Sequence, residues 1–302
     1  MIISGNTDVG KVRSGNEDYY ALLEGNELPE GIDGVIVIAD GMGGHAAGEV
    51  ASKMATEGVT TRITDQSLFQ AVPETASLSE YLGQILIDVN REVYAASQDP
   101  EYKGMGTTCT VGALQAGELH IAHVGDSRAY RLRSGNLEQL TQDHSWIAEQ
   151  IRIGNITVEQ SKSHPYRNVI TKTVGTDSDV VPQTKTVSVE SGDKILICSD
   201  GLHSMVDDTK IGSILLRGDT VSIVNELIDM ANAKGGTDNI TVAVAEVIGP
   251  ETIDQSRKGI RKVRRHKIRR SPGLVGWIKS RVLKFWVKNF FIKNILKIAA
   301  NI

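Results

Sequence analysis

The chain has 302 residues, 40% of them apolar, and a net charge of −4: enough for one large domain or two small ones with a sizeable core. The balance is uneven, because residues 251–302 hold 15 Lys/Arg against 2 Asp/Glu, a net of +13, and residues 1–250 carry −17. No basic start followed by an apolar run opens the chain, so no secretory leader is expected and a cytoplasmic protein is.

The first clear element is Gly34–Ala39 (GVIVIA), a short apolar run of the kind a buried strand shows. His45–Ile63 and Leu78–Ser97 read as helices; in the second, Leu78, Leu82, Ile85, Val89 and Val93 repeat at three- and four-residue spacing. Residues 107–141 read as a meander of strands with turns at Gln115-Ala116-Gly117-Glu118 and Ser134-Gly135-Asn136. Lys194–Cys198 is another buried strand, Val221–Ala233 an amphipathic helix, and Asn239–Val247 a closing strand of alternating apolar residues. Strand blocks separated by paired helices predict layered α and β structure, not a regular βαβ alternation. Cys109 and Cys198 lie in strand-like runs and read as buried free thiols of a reducing cytosol.

Gly249–Pro250 begins the shift in composition and is taken as the domain boundary, with a basic linker at 251–270 and an amphipathic helical tail at 271–302. Arg257–Arg270 holds nine Lys/Arg in fourteen residues without an acid. The longest uncharged run beyond it, Ser271–Ile278, is eight residues, far below the roughly 18 needed to span a bilayer. Trp277, Phe285, Trp286, Phe290 and Phe291 alternate there with lysines and arginines, which suits two short interfacial helices on an anionic membrane surface or a membrane protein, through 257–302. A solvated tail, a nucleic-acid arm and docking on the acidic body are the alternatives; an acidic body argues against nucleic acid.

Five sites place an acidic residue where a strand meets a turn: Arg13-Ser14-Gly15-Asn16-Glu17-Asp18, Asp40-Gly41-Met42-Gly43-Gly44-His45, Gly125-Asp126-Ser127-Arg128, Ser199-Asp200-Gly201 and Thr237-Asp238-Asn239. Each alone also reads as an ordinary turn, Asp-Gly above all. Together, in an acidic body without a His/Cys cluster suited to zinc, they suggest an oxygen-ligand site for hard cations such as Mg²⁺ or Mn²⁺.

The strings R-x-x-N-E-D at 13–18, D-G-M-G-G-H at 40–45, G-T-T at 106–108, V-G-D-S-R at 124–128, S-D-G at 199–201 and D-N-I-T at 238–241, in this order, resemble the type 2C, or PPM, metal-dependent protein serine/threonine phosphatases of bacteria. The resemblance runs from about Thr7 to Val247. It implies an α+β fold, a four-layer α-β-β-α sandwich around a central antiparallel β-sandwich, with a flap subdomain at about 143–175. It implies two metal ions, Mn²⁺ or Mg²⁺, and a third, weaker one.

Carried over residue by residue, the resemblance makes Asp40 the bridge between the metals. Gly41 lends a carbonyl, Asp200 and Asp238 complete the inner set, and Glu17 and Asp18 hold coordinated waters. Asp126 with Asp200 takes the third ion, Asn239 supports from behind, and Arg13 grips the substrate phosphate. His45 protonates the leaving group, orients substrate or only begins a helix. The implied reaction is in-line hydrolysis of phosphoserine and phosphothreonine in proteins by a hydroxide bridging the metals, in a monomer opposing a Ser/Thr kinase. The rival is a non-catalytic phosphopeptide-binding pseudophosphatase recruited by its tail; loss of Asp40, Asp200 or Asp238 would favour it, and all three are present.

Overall fold

The computed structural model of the protein describes residues 1–249 except 45, 71–75 and 162. The domain boundary at 250, the linker and the tail lie outside the described residues, as does His45. In chain order the elements are β1 (Ile2–Asp8), β2 (Asp18–Glu24), β3 (Ile32–Met42), α1 (Ala46–Thr64), α2 (Gln66–Gln70), α3 (Leu78–Ala96), β4 (Gly106–Thr107), β5 (Cys109–Gln115), β6 (Glu118–Val124), β7 (Arg128–Arg133) and β8 (Asn136–Gln139). Then come α4 (Trp146–Arg152), α5 (Val158–Ser161), β9 (Gln183–Ser188), β10 (Lys194–Cys198), α6 (Asp200–His203), α7 (Asp208–Leu215), α8 (Thr220–Ala233) and β11 (Ile240–Glu246).

Two antiparallel sheets form, one in the order β1-β11-β10-β7-β8 and one in the order β2-β3-β5-β6-β9, with β4 added to β3. Side chains alternate across a strand, and here each face meets a different layer. On β3, Ile36 and Ile38 enter the core between the sheets, packed with Ile195 and Ile197 of β10 and Ala243 and Ala245 of β11. Val35, Val37 and Ala39 turn the other way, onto Ala51, Ala55 and Val59 of α1 and Leu82, Leu86 and Val89 of α3. On the second sheet Leu196, Cys198, Val242 and Val244 face outward onto Ile211 and Leu215 of α7 and Ile223 and Leu227 of α8. Burial on both faces explains why GVIVIA and KILIC are continuous apolar runs. The four-layer α-β-β-α sandwich is therefore present.

The helices start where the backbone is capped. Ser77 and Glu80 form a reciprocal capping box on α3, and the Asp207 and Asp219 side chains accept from Lys210 N and Ser222 N at the heads of α7 and α8. Both expected hairpin turns have two residues of positive φ, Ala116 and Gly117 (50° and 80°) and Ser134 and Gly135 (50° and 83°), the geometry that matches strand twist.

One expectation needs correcting. Residues 107–141 are not a single meander: β5 and β6 belong to one sheet, β7 and β8 to the other. The chain crosses between sheets at Gly125-Asp126-Ser127. Gly125 has φ 116°, and a side chain there would run into Thr108, so only glycine makes the crossing. β1, β2, β9 and α7 went unrecognised in the sequence. Cys109 and Cys198 are buried free thiols in the two outer cores, on opposite sides of the sandwich.

Candidate functional site

The antiparallel register gathers the acidic motifs at one end of the sandwich. Asp18 opens β2 and pairs with Asp40 near the end of β3. Asp126 lies in the crossing between β6 and β7, Asp200 opens α6 directly after β10, and Asp238 stands two residues before β11.

These groups feel one another. Burial raises the Asp40 pKa well above the ordinary carboxylate range, and Asp18, Asp200, Asp126 and Asp238 push it further. Asp200 is raised in the same way, by burial and then by Asp126, Asp238 and Asp18. Burial lifts Asp126 to about 7, with Asp143 adding to it. Asp18 rises to about 6, burial outweighing the hydroxyl groups that hydrogen-bond to it. Like charges crowded in low dielectric favour the protonated forms unless a cation neutralises them.

The backbone around each carboxylate is held. Thr108 Oγ1 accepts from Asp40 N at 3.0 Å, Thr107 Oγ1 donates to Asp40 O at 2.9 Å, and Thr108 N donates to the same carbonyl at 2.8 Å. Thr108 and Ser127 hydroxyls meet at 2.7 Å, which ties Asp40 to the Asp126 turn. That is the task of the Gly106-Thr107-Thr108 string, to which sequence reasoning gave no role. Gly41 N donates to Glu17 O at 3.1 Å, and a side chain at Gly41 would run into the carbonyl oxygens of Gly48 and Glu17.

Asn239 clamps the loop between β1 and β2: its Oδ1 accepts from Glu17 N at 2.7 Å, and its Nδ2 donates to Val9 O and Gly15 O at 2.9 Å each. The same loop carries Arg13, half exposed and paired with Asp238 at 2.7 Å.

Under the Asp126 turn lies a polar network the motifs only partly announced. Arg128 makes a two-pronged pair with Asp143, at 2.9 Å from Nε and 2.7 Å from Nη2. It also donates to Tyr130 Oη at 3.0 Å, which donates in turn to Asp208. His144 Nδ1 accepts from Gly125 N at 3.1 Å, and its ring stacks on His123 at 5.0 Å. His203 Nε2 sits 3.0 Å from Asp126 O. Burial depresses all three histidines, His123 to about 3, His144 to about 4 and His203 to about 3, so they are neutral struts.

The flap segment carries α4 and α5, with His164 stacked on Trp146 at 4.8 Å. Its ends are tied to the body: His144 N donates to Gly125 O, Val174 and Thr107 exchange backbone bonds, and Gly175 N donates to the Asn90 side chain on α3. A polar cavity of about 130 Å³ at its root is lined by Asp143, His144, Ser145, Arg152, Thr171 and Lys172, among others.

Three buried carboxylate oxygens among the described residues have no hydrogen-bond partner: Asp18 Oδ1, Asp126 Oδ1 and Asp200 Oδ1. Left unmatched, such atoms cost the full desolvation penalty; a hard divalent cation satisfies them with its preferred oxygen donors. Among the described residues no three His, Cys, Asp or Glu side chains converge as a finished ligand cage. The donor chemistry thus fits Mg²⁺ or Mn²⁺, and three strand ends each contribute one open oxygen.

Residues 14–243 match the family model for protein phosphatase 2C. The protein phosphatase PhpP of Streptococcus pneumoniae is 36% identical over 251 residues, 82% of this chain and 98% of that protein. The serine/threonine phosphatase structure from S. agalactiae superposes with a TM-score of 0.72 at 37% identity, covering 82% of this chain and 99% of that one. The catalytic domain of the protein phosphatase PstP, solved in complex with two manganese ions, superposes with a TM-score of 0.70 at 32% identity, covering 82% and 98%.

Proposed function

The chain belongs to the protein phosphatase 2C family and is a metal-dependent protein serine/threonine phosphatase, and from that premise we propose that its chemistry is carried out at the acidic end of the sandwich. The observation that carries the assignment is the trio of unpartnered buried oxygens on Asp18, Asp126 and Asp200. In this reading Asp40, Asp200 and Asp238, with the Gly41 carbonyl, hold two divalent cations. Glu17 and Asp18 flank them, and Asp126 with Asp200 holds a third. Bound there, Mn²⁺ or Mg²⁺ supplies Lewis-acid polarisation of the phosphoryl group and a water of lowered pKa.

The chain's own residues do the rest. Arg13, exposed on its loop and paired only at its tip, swings from Asp238 to a phosphate monoester and grips two oxygens with its planar fork. Asp238, released from it, would be one of the residues that hold the cations. Asn239 keeps the Arg13 loop over the site. His45 orients substrate or protonates the departing alkoxide. Neither cysteine can act as a nucleophile, because burial pushes both thiols up, Cys109 to about 12, away from the thiolate form. The flap shapes the choice of phosphoprotein.

The tail belongs to a separate layer of the proposal. The family match ends at residue 243, before the basic segment begins. We place 257–302 on the anionic inner face of a membrane, near a Ser/Thr kinase whose products the enzyme reverses. Among the described residues no helix is long and apolar enough to cross a membrane.

The purified chain should hydrolyse a phosphothreonine peptide with Mn²⁺ or Mg²⁺ and stop in chelator, and Asp40→Asn or Asp238→Asn should remove nearly all turnover. Full activity in chelator, or in either variant, overturns the assignment.

A further inference from the structure

Four polar residues behind the acidic cluster form a chain of hydrogen bonds whose direction the chemistry fixes. Asn16 Nδ2, which can only donate, reaches Thr7 Oγ1 at 2.9 Å. Thr7 and Thr241 hydroxyls meet at 2.7 Å, and Thr241 Oγ1 donates to Asp18 Oδ2 at 2.6 Å. A hydroxyl has one proton. Thr241 commits its proton to the carboxylate, so Thr7 donates to Thr241 and accepts from Asn16. Ser199 Oγ adds a second bond to Asp18 Oδ2 at 2.7 Å while accepting from Thr241 N at 2.9 Å.

One oxygen of Asp18 is therefore saturated from behind by two oriented hydroxyls. The other, Oδ1, is buried and without a partner. The asymmetry is built: Asp18 is 5%, Ser199 0% and Thr241 0% exposed, so no water competes for the bonds. Thr7 stands on β1, the edge strand that pairs with β11 through Thr7–Thr241, and carries no acidic or basic group.

We propose that Thr7 is a positioning residue of the cation site, acting through Thr241 to hold Asp18 with Oδ1 free and facing the cluster. This rests on the reading of the acidic end as the cation site. Partners of ligands tune metal affinity by about 10- to 100-fold; Asp18 would act through coordinated water and Thr7 stands two hydrogen bonds behind it, so a smaller effect, about 5- to 10-fold, is expected. The same strand supplies a control. Ser4 on β1 makes a like hydroxyl pair, 2.7 Å from Thr220 Oγ1 at the start of α8, and among the described residues no hydrogen bond from it leads to the acidic cluster.

The test is calorimetric titration of the metal-stripped full chain with Mn²⁺, beside its melting temperature. Thr7→Val keeps the β-branched shape and removes the hydroxyl; it should weaken Mn²⁺ binding about 5- to 10-fold, and Thr7→Ser should restore it. Ser4→Ala should bind Mn²⁺ as the parent does. If Thr7→Val does not fold, Thr7→Ala, which removes the same hydroxyl and leaves the Asn16 bond to Asp18 N at 3.1 Å intact, should weaken binding in the same direction. Thr7→Val, or Thr7→Ala in its place, with parental Mn²⁺ affinity overturns the proposal, as does equal weakening in Ser4→Ala, which would make the effect one of strand stability. If the parent chain itself takes up no Mn²⁺, the reading of the acidic end falls first.

Discussion

Replacing Asn239 with alanine should cost both stability and activity, by amounts the structure allows to be worked out. The side chain is 5% exposed and makes three hydrogen bonds of 2.7–2.9 Å to backbone groups at Val9, Gly15 and Glu17. A net bond contributes about 1 kcal/mol, and more if the abandoned partner stays dry. Val9 and Gly15 are exposed, so water reaches their carbonyls and the lower figure applies. The total is about 3 kcal/mol, or roughly 6–12 °C in melting temperature for a domain of this size. The same loop carries Arg13 and Glu17, so its release should also lower kcat/KM for a phosphothreonine peptide by about 10- to 100-fold, within the roughly 150-fold that 3 kcal/mol permits. Asn239→Asp keeps the acceptor for Glu17 N but turns a carboxylate oxygen toward two carbonyls, and should be no better. The assays are differential scanning calorimetry and steady-state kinetics on the same preparations. A melting temperature within about 2 °C of the parent refutes the clamp. A large drop with unchanged kcat/KM refutes its link to the site.

Other outcomes follow from the same geometry. Arg13→Ala and Arg13→Lys should both lower kcat/KM while Mn²⁺ affinity measured by calorimetry holds, since a point charge does not replace a planar fork; unchanged kinetics in Arg13→Ala removes it from substrate binding. Asp18 and Asp126 sit at about 6 and about 7 in the folded protein, against an ordinary value near 4, so between those limits the folded state holds more protons than the unfolded one. Stability of the metal-stripped protein should then fall as pH rises from about 4 to 7, and the gain in melting temperature on adding Mn²⁺ should be larger at pH 8 than at pH 5; a stripped protein that melts higher at pH 8 contradicts this. Replacing 147–168 by a short linker, which keeps the anchored ends of the flap, should change peptide preference while turnover of an aryl phosphate survives; equal loss on both substrates assigns the flap to the chemistry. The full chain should sediment with vesicles of anionic lipid at low salt, and not with neutral vesicles or at high salt; failure to sediment at low salt ends the membrane reading.

Much of the molecule was legible in its sequence, because local chemistry announces itself locally. GVIVIA and KILIC read as short apolar strands, and the structure buries both faces of Gly34–Ala39 and of Ile195–Cys198. The spacing of Leu78, Leu82, Ile85, Val89 and Val93 gave α3 nearly to the residue, and Ser134-Gly135 marked its turn by the positive φ it needs. The acidic motifs were visible as strand-end carboxylates, and their order carried the resemblance to the phosphatase family. β1 was missed: Ile2–Asp8 is an edge strand with partly exposed faces, so no apolar pattern marks it. Only the tertiary structure decided which side chains stand behind the carboxylates. Thr7 and Thr241 are 234 residues apart, and nothing in either neighbourhood signals the other. They meet because β1 pairs with β11, a register fixed by the packing of two sheets. Arg128 and Asp143 meet for a like reason, since the crossing at Gly125 carries one sheet's end to the root of the flap. Residue type and order are written in the chain; the direction of a hydroxyl proton is set by neighbours that only folding brings within 3 Å.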